Sequence, residues 1–414
     1  MDVSACFPTR QYVLKLCAQA ITVPMQSKDT TMTGVVDKEE LEMFRESVIK
    51  ALETEVTHQY EAWEKSGIVP RELWDTLGNA GMLCVDVPED WGGCGAPFLY
   101  SVVVGEEMAR MGFGALSTNV MVHSDIVAPY LSHIGNEEQR QQWLPKMVSG
   151  EVVGAIAMTE PGAGSDLQAM RTSAVKDGDD YILNGSKTFI TNGQHAGMVI
   201  VAAKTDPKAG ARGISLFLVD TSLPGYSKGR NLDKIGQHSG DTSEMFFSDM
   251  RLPASALLGE EGQGFMYLMR ELPRERLVIG ALGVAAARGA LDLTIAYARE
   301  RELFGQKLAQ LQNTRFEIAR METDCRVNRA FVDECIELYE KGELDAPTAS
   351  MAKYSATEMQ CRVADGCLQL FGGYGYTSEY PISRAFVDAR VQRIYGGTSE
   401  VMKEIIARSV LGKA

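Results

Sequence analysis

The hydrophobic periodicity of the chain changes character twice, and this feature constrains the fold more than any other. Apolar residues recur at spacings of three and four from about residue 38 to 150, which is typical of helices. Short β-rich runs separated by turn residues follow over 152–255, and the helical spacing returns from about 265 onward. Helices and strands do not alternate along the chain, and this disfavours a doubly wound parallel sheet.

The order of these segments predicts an α+β protein with three domains. We expect an N-terminal helical domain at 37–151, a middle antiparallel β domain at 152–264 and a C-terminal helical domain at 265–414. Within the β domain, Asn184-Gly185 lies between two strand-like runs and predicts a hairpin turn. Residues 1–36 lack strong periodicity and are compatible with a disordered or natural extension, a weak transit peptide or an upstream start.

The charge balance excludes one class of partner. The 414-residue chain has 41 Lys and Arg against 55 Asp and Glu, a formal net charge of −14, whereas a nucleic-acid surface needs clustered positive charge. The longest uncharged apolar run, residues 277–287, is shorter than the roughly 20 residues of a membrane span. We therefore expect that this protein is not an integral membrane protein. Eight cysteines and five histidines show no metal-ligand spacing, which predicts reduced thiols and no metal site.

Two glycine-rich stretches are candidates for ligand binding. AMTEPGAGSD, residues 157–166, follows a predicted strand and contains Pro161, Gly162 and Gly164, so its backbone N–H groups can face a ligand, although a tight turn explains the same residues. QLFGGYGYTSEYPISRAFVDAR, residues 369–390, interrupts a helix with glycines interleaved with aromatic residues. A helical hairpin explains the break alone, whereas a surface for a flat ligand or another subunit also explains the aromatic residues.

The combination of motifs resembles the acyl-CoA dehydrogenase family over about residues 38 to 412. AMTEPGAGSD and QLFGGYGYTSEYPISRAFVD are similar to the two family signatures, and KTFITNG (187–193), RELFG (301–305) and IYGGTSE (394–400) occur in the family's order. The resemblance implies a flavoprotein oxidoreductase of fatty acid β-oxidation with a C-terminal four-helix bundle. It also implies a homotetramer, a dimer of dimers, with FAD at the subunit interfaces and electron-transfer flavoprotein as a soluble electron acceptor.

The resemblance also implies which residues bind the cofactor and the acyl-CoA substrate. Ser165 is expected near both the flavin and the CoA phosphates, and Phe189 and Thr191 against the isoalloxazine ring. The implied FAD-binding residues are Met158, Thr159, Ser165, Phe189, Ile190, Thr191, Arg301, Gln312, Gln369, Leu370, Phe371, Gly372, Gly373, Thr398, Ser399 and Glu400. The implied substrate-binding residues are Ser165, Arg276, Gly396 and Gly397.

The implied reaction is α,β-dehydrogenation of an acyl-CoA thioester, which needs a base for the α proton. Most of the family carries this carboxylate in the loop that resembles IYGGTSE, at the position where this chain has Gly396. A minority branch, with the long-chain and isovaleryl-CoA enzymes, carries it on a helix, and the matching residue here is Glu275 in ELPRERLVIGALG. Glu275 is therefore the expected catalytic base, and Glu271 and Glu400 are its rivals.

The substrate is less constrained than the reaction. GISLFLV, RLPASALLGEE and ELPRERL are most similar to long-chain acyl-CoA dehydrogenases, which favours a straight chain of medium to long length. An isovaleryl-type branched-chain enzyme of amino-acid catabolism is the alternative. A catalytically idle flavin-binding scaffold and related flavin chemistry on the same fold stay open but are disfavoured by Glu275. We expect the mitochondrial matrix for a eukaryotic chain and the cytoplasm for a bacterial one.

Overall fold

The computed structural model describes residues 37–412, so the predictions for residues 1–36 lie outside the described residues. The described chain packs as two compact units. The first takes in the chain up to Val104, Asn119–Asp233 and His238–Glu271, and the second takes in Gly105–Thr118, Lys234–Gln237 and the chain from Leu272 onward. The three domain boundaries drawn from the sequence stay predictions.

Seven helices precede the first strand in the described chain. The first begins where Asp37 accepts the backbone N–H of Glu39 at 2.8 Å, as expected of an N-cap. A π-helical stretch, Val122–Val127, joins the fifth helix to the sixth. The helices are α1 (Lys38–Glu55), α2 (Tyr60–Ser66), α3 (Glu72–Asn79), α4 (Phe98–Arg110), α5 (Gly114–Met121), α6 (Ala128–Ile134) and α7 (Glu137–Val148).

An eight-stranded, mostly antiparallel sheet follows in the first unit. Its strands are β1 (Val153–Ala157), β2 (Ser173–Asp177), β3 (Asp180–Thr191), β4 (Ala196–Lys204), β5 (Ile214–Asp220), β6 (Tyr226–Asn231), β7 (Thr242–Leu252) and β8 (Leu257–Leu258). The order is β6-β7-β3-β2-β4-β5-β8, with β1 added beside β4. The β1–β4 pairing is parallel, as is a single β2–β4 residue pair, so the sheet departs from the purely antiparallel expectation at these two places.

The hairpin predicted at Asn184-Gly185 is wrong. β3 runs through this dipeptide, and its register against β7 shifts between Leu183 and Gly185, which marks a β-bulge. The turn lies earlier, where Asp177 pairs with Asp180 across Gly178. Gly185 has φ +151°, and a β-carbon there would lie 2.4 Å from Oγ1 of Thr172. Glycine is therefore needed at position 185 because the chain approaches Thr172 closely there, and not because the chain turns.

The second unit is built mainly of long helices. These are α8 (Gly264–Glu300), whose first eight residues belong to the first unit, α9 (Gln312–Glu340), α10 (Ala346–Phe371), α11 (Pro381–Val391) and α12 (Ser399–Leu411). A short hairpin of β9 (Glu302–Leu303) and β10 (Gln306–Lys307) follows α8. α10 packs against α9, α11 and α12. Gly280 lets α8 approach α10, since a β-carbon there would lie 3.3 Å from the carbonyl of Ala352.

Helix α8 is also the part of the described chain that is long and apolar enough to cross a membrane. Of its most apolar window, 67% is buried inside the protein. A largely buried apolar helix of this length is also typical of the core of a packed helical unit. Its composition therefore follows from packing.

Candidate active site

The turn that precedes α12 comes unusually close to α8. Gly396 and Gly397 have φ of +62° and +97°, in the left-handed region that costs other residues about 1–2 kcal/mol. A β-carbon at position 396 would lie 2.4 Å from Cδ1 of Ile279 and 3.4 Å from Cε of Lys353. The backbone conformation at 396 therefore favours glycine, and a larger side chain there would require Cδ1 of Ile279 to move.

Glu275 lies on the face of α8 that leads to this turn. Ile279 follows Glu275 by four residues, so the two side chains lie one above the other on the same face of the helix. Glu275 is buried, with 3% of its surface exposed, so this carboxylate is removed from bulk water. The structure thus places the expected base on the same helix face as the residue that fills the space beside Gly396.

Arg276 adds a buried cation beside the same turn. Its Nη2 would lie 3.9 Å from a β-carbon at position 397, and Nη1 donates to Oγ of Ser350 at 3.4 Å. Burial lowers the pKa of the Arg276 guanidinium, and the charge of Glu275 acts in the opposite direction. The Nε atom is buried without a hydrogen-bond partner among the described residues, which fits a donor reserved for a ligand.

The two rivals of Glu275 have other roles in the structure. One carboxylate oxygen of Glu271 contacts Nδ1 of His133 at 3.0 Å and the other accepts from Nε of Arg270 at 3.0 Å. Burial raises the pKa of Glu271, but these two partners outweigh it and hold the pKa below its usual value. Glu400 is exposed in the first turn of α12. Glu271 is held by two partners and Glu400 is exposed, so neither carboxylate has the surroundings expected of a buried general base.

The predicted cofactor residues of the first unit lie around β1 and β3. Phe189 is 67% exposed with φ +58°, so a flat apolar ring stands in solvent on a strained backbone. Thr191 is half-buried two residues later, and Met158, Thr159 and Ser165 lie on the loop after β1, half-buried or exposed. An exposed aromatic ring beside an open loop fits a planar ligand such as flavin.

Two further features of the first unit bear on the predicted contacts. Ile190 is 2% exposed and packs in the core of the sheet, so any cofactor contact at this position uses its backbone. Nζ of the buried Lys187 donates to the carbonyl oxygen of Met158 at 3.0 Å and to Oε1 of Glu160 at 2.9 Å, which fixes the start of the loop. A cavity of about 570 Å³ opens beside Pro161 and Gly162.

The predicted cofactor residues of the second unit fall into two groups, the first at the end of α10. Gln369, Gly372 and Gly373 are exposed and Leu370 is half-buried. Among the described residues, nothing lies within 4 Å of a β-carbon at either glycine, so packing explains neither, although the φ of +60° at Gly372 favours glycine there. Phe371, in contrast, is buried and stacks on Tyr297 with ring centroids 4.1 Å apart; it anchors the turn.

Arg301, Gln312 and the start of α12 complete the predicted set in the second unit. The guanidinium of the exposed Arg301 lies 5.4 Å from the ring centroid of Tyr374, and Gln312 is exposed at the start of α9. Thr398 caps α12 by accepting the N–H of Val401, and the hydroxyl of Ser399 donates to Glu358 at 2.8 Å. The N-terminus of α12 and the exposed glycines fit the phosphates and flat rings of FAD.

Three residues near the turn, Ile279, Lys353 and Ser350, are not indicated as site residues by the motifs that are visible in the sequence. A signal for Lys353 exists, because it falls on the buried face of α10 with Ala349, Ala356 and Gln360 at helical spacing. A lysine at a core position seldom occurs without a specific partner. Ile279 carries no such signal, since an isoleucine in a buried helix is ordinary.

Comparison with known proteins identifies the family. Models of the acyl-CoA dehydrogenase N-terminal, middle and C-terminal domains match residues 38–151, 155–250 and 262–411. The mitochondrial long-chain specific acyl-CoA dehydrogenase of Rattus norvegicus is 49% identical over 398 residues, covering 95% of this chain and 92% of the relative. Isovaleryl-CoA dehydrogenase of Pongo abelii is 39% identical over 386 residues, covering 92% and 90%.

A solved structure supports the same assignment. The crystal structure of acyl-CoA dehydrogenase from Geobacillus kaustophilus superimposes with a TM-score of 0.89 at 49% identity, covering 91% of this chain and 100% of that one. The predicted plan of helical, β and helical segments is confirmed, as is FAD as the cofactor. The chain therefore belongs to the acyl-CoA dehydrogenase family of FAD-dependent oxidoreductases.

Proposed function

We propose that this protein dehydrogenates straight-chain, medium- to long-chain acyl-CoA thioesters to trans-2-enoyl-CoA, with Glu275 as the base. The observation that carries the proposal is the combination at the Gly396 turn. The buried carboxylate of Glu275 lies one helical turn before Ile279 on the same face of α8. The side chain of Ile279 occupies the space in which a carboxylate side chain at position 396 would begin. The chain-length preference rests on the similarity to long-chain relatives at about half of all aligned positions.

In this proposal Glu275 and Gly396 act on different atoms of the thioester. Glu275 accepts the α proton, and the electron pair of that C–H bond moves toward the thioester oxygen. The backbone N–H of Gly396 donates to this oxygen; among the described residues it donates to no protein acceptor. One such donor is worth about 3 kcal/mol of barrier. As that electron pair returns to form the Cα–Cβ double bond, the hydride leaves the β carbon, and FAD held by the residues named below would supply its acceptor.

Binding roles follow from the residues described above. Arg276 binds the CoA side of the substrate through its buried guanidinium, with Gly397 beside it. Ser165, at the exposed loop after β1, contacts both cofactor and CoA phosphates. The residues proposed to hold FAD are Met158, Thr159, Phe189, Ile190, Thr191, Arg301, Gln312, Gln369, Leu370, Phe371, Gly372, Gly373, Thr398, Ser399 and Glu400.

The proposal extends to assembly, electron acceptor and location. Phe304 and Tyr376 are 87% and 88% exposed, and such large apolar side chains are typical of surfaces that another chain covers. This supports a homotetramer with FAD at subunit interfaces. We infer that electron-transfer flavoprotein is the acceptor. The protein functions in the mitochondrial matrix if its source is eukaryotic, since the rat relative is named as mitochondrial, and in the cytoplasm if it is bacterial.

A scan of thioester substrates tests the function. Purified holoprotein is mixed anaerobically with straight-chain acyl-CoA of about four to sixteen carbons and with isovaleryl-CoA, and the loss of oxidised-flavin absorbance is followed. The proposal expects the highest kcat/KM with medium or long straight chains. A maximum with isovaleryl-CoA would establish the branched-chain alternative. No bleaching with any thioester, with flavin bound, would indicate an idle scaffold.

A further inference from the structure

A buried lysine joins both ends of the Gly396 turn. Lys353 on α10 has no exposed surface, and its Nζ donates to the carbonyl oxygens of Gln392 at 3.1 Å and Gly397 at 2.7 Å. Gln392 is the C-cap of α11, and Gly397 lies directly before the N-cap of α12. Lys353 therefore ties together the two ends of the segment that carries the Gly396 N–H.

Keeping a cation at this position is energetically costly. Burial, followed by the charge of Arg276, lowers the pKa of Lys353 to about 8, and Glu358 acts in the opposite direction. An apolar side chain of similar length would avoid the desolvation of a charge. A fold that needed only to fill this volume has no reason to retain an ammonium group there.

The location of the cation suggests a reason. Cε of Lys353 would lie 3.4 Å from a β-carbon at Gly396, and Arg276 approaches the neighbouring Gly397. The turn is thus flanked by two buried positive charges, and charge-assisted hydrogen bonds fix one of its carbonyls from inside. Such bonds are shorter and roughly twice as strong as neutral ones. Preorganised groups of this kind lower the barrier when negative charge develops beside them.

We propose that Lys353 is a positioning residue for thioester enolisation: its ammonium group locks the Gly396–Gly397 turn so that the Gly396 N–H stays available to the thioester oxygen. The inference rests on the proposed function and adds a residue that does not itself touch the substrate. It assigns Lys353 to the stabilisation of enolate charge and not to substrate affinity. Removing the ammonium group should therefore lower the rate of proton abstraction more than it weakens acyl-CoA binding.

The test uses the FAD-loaded protein with Lys353→Met, which keeps the length of the side chain and removes its charge. We expect flavin reduction at saturating acyl-CoA to slow by at least about tenfold, while the half-saturating concentration changes by less than about threefold. Lys341→Met is the charge control, because Lys341 is exposed and pairs only locally with Glu337 among the described residues. Thr357→Val is the packing control, removing a buried hydroxyl one turn away.

A second readout does not depend on turnover. In a 3-thia-acyl-CoA the β position is sulfur, so the α proton is acidified and no hydride can leave. When Glu275 takes that proton, the electron pair of the C–H bond stays on the analogue, which becomes an enolate. The enolate beside oxidised flavin is measured by its absorbance at long wavelength. Lys353→Met should raise the apparent pKa of the bound analogue by at least about one unit, whereas both controls should leave it unchanged.

The pH dependence separates a positioning role from a purely structural one. As Lys353 loses its proton above about pH 8, flavin reduction by the unmodified protein should fall. Lys353→Arg keeps its charge at every accessible pH, so it should recover part of the rate and lose this fall. Arg276 and Glu358, the charged groups facing Lys353 from α8 and from its own helix, are present in both proteins.

Three outcomes would overturn the inference. One is a folded Lys353→Met holoprotein that matches the Lys341→Met control in rate and in analogue pKa. Another is a loss in Lys353→Met that lies entirely in substrate affinity. If Lys353→Met does not fold, a rate for the unmodified protein that stays level to about pH 10 decides against it. Full activity of Glu275→Gln would instead refute the proposed function, whatever Lys353 does.

Discussion

At the scale of single residues, one methyl group of Ile279 lies where a side chain at position 396 would begin. Cδ1 of Ile279 would lie 2.4 Å from a β-carbon at Gly396, whereas its Cγ1 would lie at 3.9 Å. Moving the carboxylate to position 396 therefore needs space as well as the substitution itself. Ile→Val deletes Cδ1 alone, at a cost of about 0.5–1.5 kcal/mol of stability.

This geometry predicts a non-additive rescue. Glu275→Gln with Gly396→Glu should stay nearly inactive, because the new side chain meets Ile279 and strains a backbone with φ +62°. Adding Ile279→Val should raise its rate of flavin reduction by at least about tenfold, as expected when coupled neighbours are changed together. Glu275→Gln with Ile279→Val is the matched control. Equal rates for the double and triple variants would show that Ile279 does not restrict the position.

The sequence predicts the chemistry of the candidate site only through residues that lie within a motif. The absence of a carboxylate at Gly396 and the presence of Glu275 were visible, because the surrounding motifs fix the alignment. The roles of Ile279 and Lys353 could not be assigned, because they depend on which helix faces meet across the second unit, although the helical position of Lys353 indicates a buried lysine with a specific partner. No local pattern specifies such a meeting.

At the scale of elements, contacts between distant parts of the chain also explain why the hairpin is not at Asn184-Gly185. Asn-Gly favours a tight turn through its local conformational freedom, yet Asn184-Gly185 lies inside β3. The pairing of β3 with β7 over 181–191 and the contact with Thr172 outweigh the local preference. The true turn at Gly178, with φ +66°, also contains glycine. Turn composition alone therefore could not choose between the two sites.

A pair of alanine substitutions distinguishes the two glycines. Among the described residues, no atom lies within 4 Å of a β-carbon at Gly178, so Gly178→Ala should cost only the strain of a left-handed residue, about 1 kcal/mol. Gly185→Ala places a methyl group 2.4 Å from Oγ1 of Thr172 and should cost at least about 2 kcal/mol. Urea unfolding followed by tryptophan fluorescence measures both. A smaller loss for Gly185→Ala than for Gly178→Ala would contradict the assignment of the bulge.

At the scale of the whole molecule, the change of periodicity from helical to β and back predicted the plan of the fold. Long helices such as α9 and α10 carry a strong 3.6-residue signal, so their existence was evident. The division into two compact units was not, because the first unit combines the early helices with the sheet, and α8 continues from one unit into the other. Contacts distant in sequence decide such groupings.

The central claim, that a helix glutamate replaces the loop base, is tested most directly by Glu275→Gln in the intact holoprotein. On anaerobic mixing with a saturating long-chain acyl-CoA, the variant should bind the thioester but reduce flavin about 10²–10⁴-fold more slowly than the unmodified protein. Glu271→Gln, one turn earlier on α8 and equally buried, is the matched control and should still reduce flavin. A Glu275→Gln protein that reduces flavin at a rate near that of the unmodified protein would contradict the account.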